Sequence, residues 1–460
     1  MRTLIKGGTV VTAADTFVAD VLVGDGKVLA IGRALEASYD RVIEAKGKYL
    51  FPGAVDVHTH LDMPFGGTMS SDDFETGTKA AAMGGTTSLV DFAIQPKGST
   101  LKQTLDLWHE KARGKACIDY GFHVAITDLP DSVLDEMPEM VEAGVSSFKL
   151  FMAYKGSLQV DDATFFKALV KAKECGALIS FHGENGDVID VLVRRMLAAG
   201  QTTPRYHALS RPPEAEAEAT ARAIALAEMA DAPIYVVHLS AASALDKVMA
   251  ARDRGLPVYA ETCPQYLLKS IEAYDEPDFE GAKYVCSPPL RDKSNWPRLW
   301  DGLAAGHLQT VATDHCPFFF KGQKELGLDN FAAIPNGVPG IETRLDVMYT
   351  AGVAGGKIGL NKFVDLVATM PAKLFGLYPE KGTIAVGSDA DLVLFDPEVT
   401  HVITAAGLHQ RVDYTPFEGF EAKGQVKTVL SRGEVVADNG VFAGHAGSGR
   451  FLQRKRFSAQ

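Results

Sequence analysis

Residues 51–60 read Phe51-Pro52-Gly53-Ala54-Val55-Asp56-Val57-His58-Thr59-His60, an apolar, β-branched run that ends in two histidines separated by one residue. Side chains on a strand alternate between its two faces, so His58 and His60 are predicted to point the same way from the end of a strand. Two imidazoles held in this way form half of a metal site. An exposed or hydrogen-bonded pair is the ordinary alternative, and the choice depends on what the rest of the chain places nearby.

Length, charge and cysteine usage limit the class of protein. At 460 residues the chain is long enough for two or three domains. Its formal net charge of −12 argues against nucleic acid as the main partner, because phosphate binding needs a basic face. It contains no uninterrupted apolar run of about 18 residues, so no membrane partner is expected. Five scattered cysteines without CxxC spacing are typical of reduced thiols, and the predicted location is the cytoplasm.

Both ends of the chain carry short β patterns. Asp25-Gly26 between apolar runs is typical of a hairpin, and Leu392-Val393-Leu394-Phe395 and Thr428-Val429-Leu430 repeat the pattern near the other terminus. We therefore expect one small, discontinuous β-sandwich domain assembled from residues 1–52 and 380–460. Residues 53–379 are expected to form a separate catalytic domain.

The middle of the chain alternates short apolar strands with amphipathic helical segments such as 163–175 and 214–229. Eight strands are predicted, at 53–60, 87–93, 120–126, 146–152, 178–183, 234–240, 257–263 and 310–316. This alternation predicts an α/β fold, a (β/α)8 TIM barrel with insertions. A doubly wound open sheet is the competing architecture, but no GxGxxG follows the first strand.

Polar residues recur at the C-terminal ends of these strands, where barrel active sites are built. Besides the first pair, the fourth strand supplies Lys149, the fifth His182, the sixth His238 and the eighth Asp314. Each alone has an ordinary explanation, such as a hydrogen-bonded core histidine. Their joint appearance at equivalent strand ends predicts a metal site for Zn²⁺, Mn²⁺ or a similar ion.

Lys149 is the unusual member of this set. An apolar strand that buries an ammonium beside two dications pushes its pKa down by desolvation and by like charge. A neutral lysine amine can instead add carbon dioxide and become an anionic carbamate (N6-carboxylysine) that bridges two metals. Two divalent ions bring four positive charges, and Asp314, a bridging hydroxide and the carbamate bring three negative ones. Without the carbamate, the site is short of anionic ligands.

The chain resembles the cyclic amidohydrolases of the dihydropyrimidinase and hydantoinase family, D-hydantoinases above all, within the wider amidohydrolase superfamily. The resemblance rests on an ordered set of motifs that extends over nearly the whole chain. They are Gly53 to Phe65, Ser147-Phe148-Lys149-Leu150-Phe151-Met152-Ala153-Tyr154, Phe181-His182-Gly183-Glu184-Asn185, Val237-His238-Leu239-Ser240, Glu261 to Leu267, Cys286 to Arg291, Thr313-Asp314-His315-Cys316-Pro317 and Gly387 to Val393.

The resemblance implies roles for these residues. His58, His60 and Asp314 would hold one divalent metal, His182 and His238 the other, and carboxylated Lys149 would bridge them. Zinc is the expected metal, with manganese or cobalt as alternatives. Tyr154 would polarise the substrate carbonyl, while Ser287 and Asn336 would grip the amide edge of the ring through backbone groups. A homo-tetramer is also implied.

The reaction implied by the resemblance opens a hydantoin or dihydropyrimidine ring to an N-carbamoyl amino acid. A metal-bridging hydroxide would attack the ring carbonyl, which the Tyr154 hydroxyl polarises. Asp314 would take the proton and deliver it to the departing ring nitrogen. Met63, Phe65, Phe151 and Leu158 are expected to line a pocket for a substituent on the ring, with ordinary loop packing as the alternative.

Other functions remain open. Dihydroorotase carries an arginine two residues beyond the second histidine, and Asp62 at that position disfavours an anionic ring. Allantoinase shares the metal set. A mononuclear deaminase needs no lysine on the fourth strand, and non-enzymatic dihydropyrimidinase-like proteins have lost metal ligands that this chain keeps.

The remaining polar residues receive structural interpretations. His123 and His315 are expected to be structural or to support the ligands, and Glu184 is expected to orient His182. The basic tail from Arg450 to Arg456 is expected to be solvated or to contact another subunit. The other histidines, on predicted helices or loops, are expected to be solvated: His109, His207, His307, His401, His409 and His445.

Overall fold

In the computed structural model, which describes residues 1–458, the first five strands belong to one sheet. They are β1 (Arg2–Val11), β2 (Thr16–Gly24), β3 (Lys27–Gly32), β4 (Arg41–Glu44) and β5 (Tyr49–Pro52). β1 and β2 pair antiparallel, as do β2 and β3, while β4 and β5 run parallel to β1. The turn between β2 and β3 uses Asp25 and Gly26 at φ 53° and 78°, which suits a tight hairpin.

The next ten strands contain the barrel. They are β6 (Ala54–Thr59), β7 (Pro64–Phe65), β8 (Thr68–Met69), β9 (Thr86–Ile94), β10 (Asp119–Ala125), β11 (Ser147–Phe151), β12 (Leu178–His182), β13 (Ile234–Val236), β14 (Val258–Thr262) and β15 (Thr310–Val311). β7 and β8 form a small hairpin, and the other eight pair in parallel in chain order. A parallel bridge between Thr59 and His315 joins the two edges of this sheet. The predicted (β/α)8 TIM barrel is confirmed.

The last four strands return to the first sheet. They are β16 (Leu392–Val402), β17 (Glu421–Ser431), β18 (Glu434–Asp438) and β19 (Val441–Phe442). β16 pairs antiparallel with β5, where Leu392 lies opposite Pro52, so strands from both termini share one sheet. Its buried face has a core of its own, which includes Val10, Val21 and Leu430. The predicted β domain from both ends of the chain is therefore confirmed.

Helices follow the barrel strands. They are α1 (Phe74–Met83), α2 (Leu101–Ala112), α3 (Asp131–Leu134), α4 (Met137–Glu142), α5 (Asp162–Cys175), α6 (Gly186–Ala198), α7 (Arg205–Leu209), α8 (Pro213–Ala230), α9 (Ala242–Asp253), α10 (Pro264–Leu268), α11 (Asn295–Ala305), α12 (Arg344–Met348), α13 (Leu360–Val364) and α14 (Met370–Leu374). α1 begins at Asp73, whose carboxylate accepts the N–H groups of Glu75 and Thr76. Within residues 1–458, no helix combines the length and apolarity needed to cross a bilayer.

Two barrel strands end earlier than the sequence predicts. β13 stops at Val236 and β15 at Val311, because the residues that follow leave the extended conformation: His238 has φ 39° and Asp314 has φ 52°. Asp56 fixes the position of the chain after β15, since its carboxylate accepts a hydrogen bond from the Thr313 hydroxyl at 2.6 Å. Because the two strands end early, the side chains of His238 and Asp314 do not follow the alternation of a strand and lie at the rim of the barrel.

The basic tail exposes Arg450, Lys455 and Arg456, as the sequence suggests, but buries Arg454. It runs along the N-terminal ends of the barrel strands, where the Tyr120 N–H donates to the Arg450 carbonyl and the Leu452 N–H to the Tyr120 carbonyl. The Arg454 side chain is only 3% exposed, and its guanidinium donates to Ser147 Oγ at 2.9 Å. The tail therefore covers the end of the barrel opposite the rim.

Candidate metal centre

Six polar side chains that the sequence singles out converge at the rim of the barrel. They are His58 and His60 at the end of β6, Lys149 on β11, His182 at the end of β12, His238 after β13 and Asp314 after β15. All six are at most 7% exposed. Residues far apart in the chain thus meet in one buried cluster, as barrel topology requires of strand ends.

Short distances connect the members of this cluster. His58 Nε2 lies 3.1 Å from Lys149 Nζ and 3.1 Å from Asp314 Oδ1. His60 Nε2 lies 3.2 Å from the same carboxylate oxygen. On the other side, His182 Nδ1 and His238 Nε2 are 3.1 Å apart. The potential ligand atoms therefore point at one another.

Burial sets the protonation states of the cluster. It lowers the pKa of all four imidazoles, and that of His58 and His238 falls well below the usual value. Burial also lowers the pKa of Lys149 to about 8. Burial acts to raise the pKa of Asp314, but the hydrogen bond from His60 and the nearby charges of His238, His60 and Lys149 together outweigh it, and the pKa is lowered. Neutral imidazoles and an ionised carboxylate are the forms that bind divalent metals.

The donor set fits a divalent cation. Atoms of His58, His238 and Asp314 lie within 4.8 Å of one another, close enough to share one ion. The buried ring nitrogens His60 Nδ1 and His238 Nδ1 have no hydrogen-bond partner in the described part of the chain. Buried polar atoms are normally partnered, so two unpartnered ring nitrogens in a cluster that also holds a carboxylate are typical of a ligand site.

Two buried carboxylates support the histidines from behind. Glu261 contacts His58 Nδ1 and accepts a hydrogen bond from the backbone N–H of His238 at 3.0 Å. Glu184 lies 2.8 Å from His182 Nε2, the contact predicted from sequence, and accepts from Arg211 at 2.7 Å. Such partners fix the tautomer and the orientation of a ligating imidazole.

The two carboxylates differ in ionisation. Burial raises the pKa of Glu261 to about 8. Burial acts in the same direction on Glu184, but Arg211, the hydrogen bond with His182 and the charge of Arg291 together overcome it and lower the pKa to about 2. Glu184 therefore carries a full negative charge beside its histidine at neutral pH.

A pocket opens directly onto the cluster. One wall is apolar and the other carries the three predicted substrate-binding residues; the lining includes Met63, Phe65, Ile94, Phe151, Tyr154, Leu158, Ser287, Cys316, Asn336 and Gly337. The Tyr154 hydroxyl accepts from Asn336 Nδ2 at 3.4 Å. Burial raises the pKa of Tyr154, so the phenol keeps its proton and can donate it to a bound molecule.

The other predicted histidines divide into structural and unexpected ones. His123 is buried between Ser147 Oγ and the Val57 carbonyl, and His315 contacts Asp72 at 3.0 Å, so the structural interpretation of both is confirmed. The expectation of a solvated His207 is wrong. Its Nε2 donates to the Cys286 carbonyl at 2.8 Å, and the residue is 3% exposed.

Sequence reasoning missed several buried polar residues around the centre, namely Glu261, Arg211 and Lys324. Glu261 was detectable, because it lies near the end of β14 in the same position as the ligands on other strands. Arg211 and Lys324 lie outside the strands, and no local pattern marks a loop cation as buried. Asp62, in contrast, was used in the sequence analysis as an indicator of the substrate, but it is not among the residues that line the pocket.

Comparison with known proteins gives the family. The model of the amidohydrolase family matches residues 49–436. The chain belongs to the amidohydrolase family. It is 54% identical to a D-hydantoinase of Geobacillus stearothermophilus, over all of this chain and 98% of that protein. A D-hydantoinase of Streptomyces coelicolor is 53% identical over 98% of both chains.

A solved structure extends this result to the fold. The crystal structure of a dihydropyrimidinase from Brevibacillus agri superimposes with a TM-score of 0.99 at 57% identity and covers both chains completely. Membership of the amidohydrolase family implies use of a divalent metal, and the buried cluster described above is chemically suited to hold it.

Proposed function

We propose that the protein is a metal-dependent cyclic amidohydrolase that opens hydantoin or dihydropyrimidine rings to N-carbamoyl amino acids. The observation that carries the proposal is the position of Lys149, whose Nζ lies 3.1 Å from His58 Nε2 inside a buried cluster of imidazoles and a carboxylate. The relatives named D-hydantoinase and dihydropyrimidinase support the choice of substrate class.

The proposed ligand set has two halves. His58, His60 and Asp314 hold one divalent ion, and His182 and His238 hold the other, with Lys149 shared between them. The distances between ring nitrogens and Asp314 Oδ1, at 3.1 and 3.2 Å, support the first half. The 3.1 Å contact between His182 and His238 supports the second. Zinc is the proposed metal, since nitrogen-rich sites with one carboxylate suit it.

The proposed modification of Lys149 follows from its surroundings. Its amine is buried against the rings of Phe92 and Phe151, 4.2 and 4.9 Å from their centroids, and its lowered pKa makes the nucleophilic amine accessible. Addition of carbon dioxide forms an N–C bond and releases one proton, which leaves an anionic carbamate. A buried site that would hold two divalent cations gains a negative ligand in this way.

The chain's own groups can bind and activate the ring. The protonated Tyr154 hydroxyl donates to the carbonyl oxygen as negative charge develops there. Backbone groups of Ser287 and Asn336 bind the amide edge and fix the ring in the pocket. Asp314 accepts the proton of the attacking water and transfers it to the departing ring nitrogen. A divalent metal, when bound, supplies Lewis acidity and makes water nucleophilic near neutral pH.

The apolar wall is proposed to receive a substituent on the ring. Phe65 stands edge-on to Tyr154 with centroids 5.4 Å apart, which places an apolar surface beside the proposed oxyanion donor. Met63, Phe151 and Leu158 complete this wall. A 5-aryl or 5-alkyl group bound there would be removed from water, which is favourable by about 25 cal/mol per Å² of buried apolar surface.

We further propose that the protein is a cytoplasmic homo-tetramer. Its five cysteines are buried and unpaired in the described part of the chain, which suits a reducing compartment. Light scattering on the purified protein measures the number of subunits directly, and a monomer would contradict the proposal.

The test of the function is a ring-opening assay. Dihydrouracil, both enantiomers of a 5-aryl hydantoin, allantoin and dihydroorotate are supplied to protein loaded with zinc, manganese or cobalt, and metal content is measured on the same sample. We expect opening of dihydrouracil or the hydantoin at two metals per chain. Preference for allantoin or dihydroorotate would reassign the substrate, and ammonia release with one metal per chain would indicate a deaminase.

A further inference from the structure

Lys324 is a buried lysine that the proposed reaction does not use. Its side chain is fully buried, and it begins a single 3-10 turn, Lys324–Gly327. No carboxylate forms an ion pair with it within residues 1–458. A buried cation without a counter-ion is costly, so its retention calls for a physical explanation.

Three backbone carbonyls surround the amine. Lys324 Nζ lies 2.8 Å from the Val285 oxygen, 2.7 Å from the Pro335 oxygen and 2.8 Å from the Gly337 oxygen. A neutral amine has two hydrogens and an ammonium has three, so only the ammonium satisfies all three acceptors. The three charge-assisted hydrogen bonds offset the missing counter-ion.

The three carbonyls belong to two separate segments of the pocket wall. One segment leads to Ser287 and the other contains Asn336, the two residues assigned to the amide edge of the ring. A direct bond from the Gly337 N–H to the Val285 carbonyl, at 2.9 Å, also joins the segments. The ammonium thus links the two segments that are proposed to bind the amide edge of the substrate.

Little free space surrounds the second segment. Gly337 adopts φ 151°, and a Cβ there would lie 2.3 Å from the Cys316 carbonyl oxygen. That contact is two residues beyond Asp314. A displacement of residues 335–337 therefore changes the pocket itself, because these backbone groups cannot move inward without a steric clash.

We propose that Lys324 is a positioning residue that sets the separation of segments 285–287 and 335–337, and with it the fit of the amide edge of the substrate. The inference rests on the proposed function. Lys324 contacts neither the substrate ring nor the metal ligands, yet substrate affinity depends on it.

The test compares steady-state kinetics of the metal-loaded protein and its Lys324→Met variant. Methionine keeps the unbranched shape and removes all three donors. We expect KM for dihydrouracil or hydantoin to rise about tenfold or more while kcat changes less than about threefold, since binding is lost equally in ground and transition states. Metal content should stay that of the unmodified protein.

Lys381→Met is the matched control. Lys381 is 2% exposed and pairs with Asp119 and Asp391 between the barrel and the terminal sheet, so its loss should lower the melting temperature and leave KM unchanged. An equal rise of KM in both variants would reduce the Lys324 effect to general destabilisation and overturn the proposal. An unchanged KM in Lys324→Met would overturn it as well.

Lys324→Gln covers the case in which the methionine variant does not fold. Glutamine keeps two of the three donors, and we expect a KM between those of the unmodified protein and a full loss. A glutamine variant with the KM of the unmodified protein overturns the inference. Failure of the unmodified protein to open any ring would overturn the proposed function, which is a different outcome from activity that is insensitive to Lys324.

Discussion

The carboxylate of Glu261 lies directly behind the imidazole of His58, and both side chains are fully buried. The Tyr235 hydroxyl holds the second carboxylate oxygen at 2.7 Å. An acceptor at His58 Nδ1 keeps the ring proton on that nitrogen and leaves the Nε2 lone pair facing Lys149 and Asp314. The orientation of the first ligand is therefore set by β14, which is separated from β6 around the barrel only by β15.

Replacing Glu261 with glutamine is expected to weaken metal binding about 10- to 100-fold, because the amide can present its donor to His58 and favour the wrong tautomer. Metal content after dialysis against a chelator measures the effect. Asp391→Asn is a suitable control, since that carboxylate is equally buried but lies far from the ligands. Metal retention equal to that of the unmodified protein would show that Glu261 does not orient His58.

Replacing Lys149 with alanine is expected to abolish ring opening and to reduce metal content, because the shared ligand is lost. Native mass spectrometry of the unmodified protein should show the added mass of one carbon dioxide, absent from the variant. Lys155→Ala is the control, since that lysine is exposed and pairs with Asp187. A Lys149→Ala variant with full activity and two metals would rule out the carbamate.

Replacing Tyr154 with phenylalanine is expected to lower kcat about 10²- to 10³-fold, the usual loss for one oxyanion donor. The ring and its packing remain, so metal content and melting temperature should not change. Steady-state kinetics with dihydrouracil give the measurement. A variant with normal kcat would assign the polarising role to another group.

Replacing Leu158 with alanine is expected to lower kcat/KM for a 5-aryl hydantoin about tenfold relative to dihydrouracil, because only the substituted ring uses the apolar wall. Met229→Ala removes a similar side chain from an exposed position on α8 and serves as the control. Equal losses for both substrates would mean that Leu158 does not contact the substituent.

Replacing Lys381 with methionine is expected to lower the free energy of unfolding by about 3–5 kcal/mol, because Asp391 would remain buried without a cation and Asp119 would keep only Arg432. Thermal unfolding of the metal-loaded protein measures the change. Lys171→Met removes a surface pair with Asp135 and should lower the free energy of unfolding far less. Equal losses in the two variants would contradict the role of burial.

The sequence was sufficient for the barrel and for the six side chains at its rim. His58 and His60 follow from the two-residue period of a strand, and Lys149 follows from a cation in an apolar strand. These features are local, so a single sequence carries them. The early ends of β13 and β15 could not be predicted, because the conformations of His238 and Asp314 depend on Glu261 and on Asp56, which come from other strands.

Buried polar residues outside the barrel strands were the main failure. Lys324, Arg454 and His207 follow no periodic pattern, and each is buried by partners distant in sequence; Arg454 and Ser147 are separated by 307 positions. Exposure is the normal state of such residues, so composition favours the wrong answer for them. Only the tertiary structure identifies the carbonyls and hydroxyls that accept hydrogen bonds from these side chains.

The course of the tail beneath the barrel affects how the protein is made. Arg454 and its neighbours leave the ribosome after every barrel strand has been synthesised. The backbone at Tyr120 and the carbonyl of Phe122 therefore gain these hydrogen-bond partners only after the barrel strands have been made. A chain that lacked these contacts would have all the metal ligands but an uncovered barrel base, so closure of that end of the barrel depends on residues distant from the site.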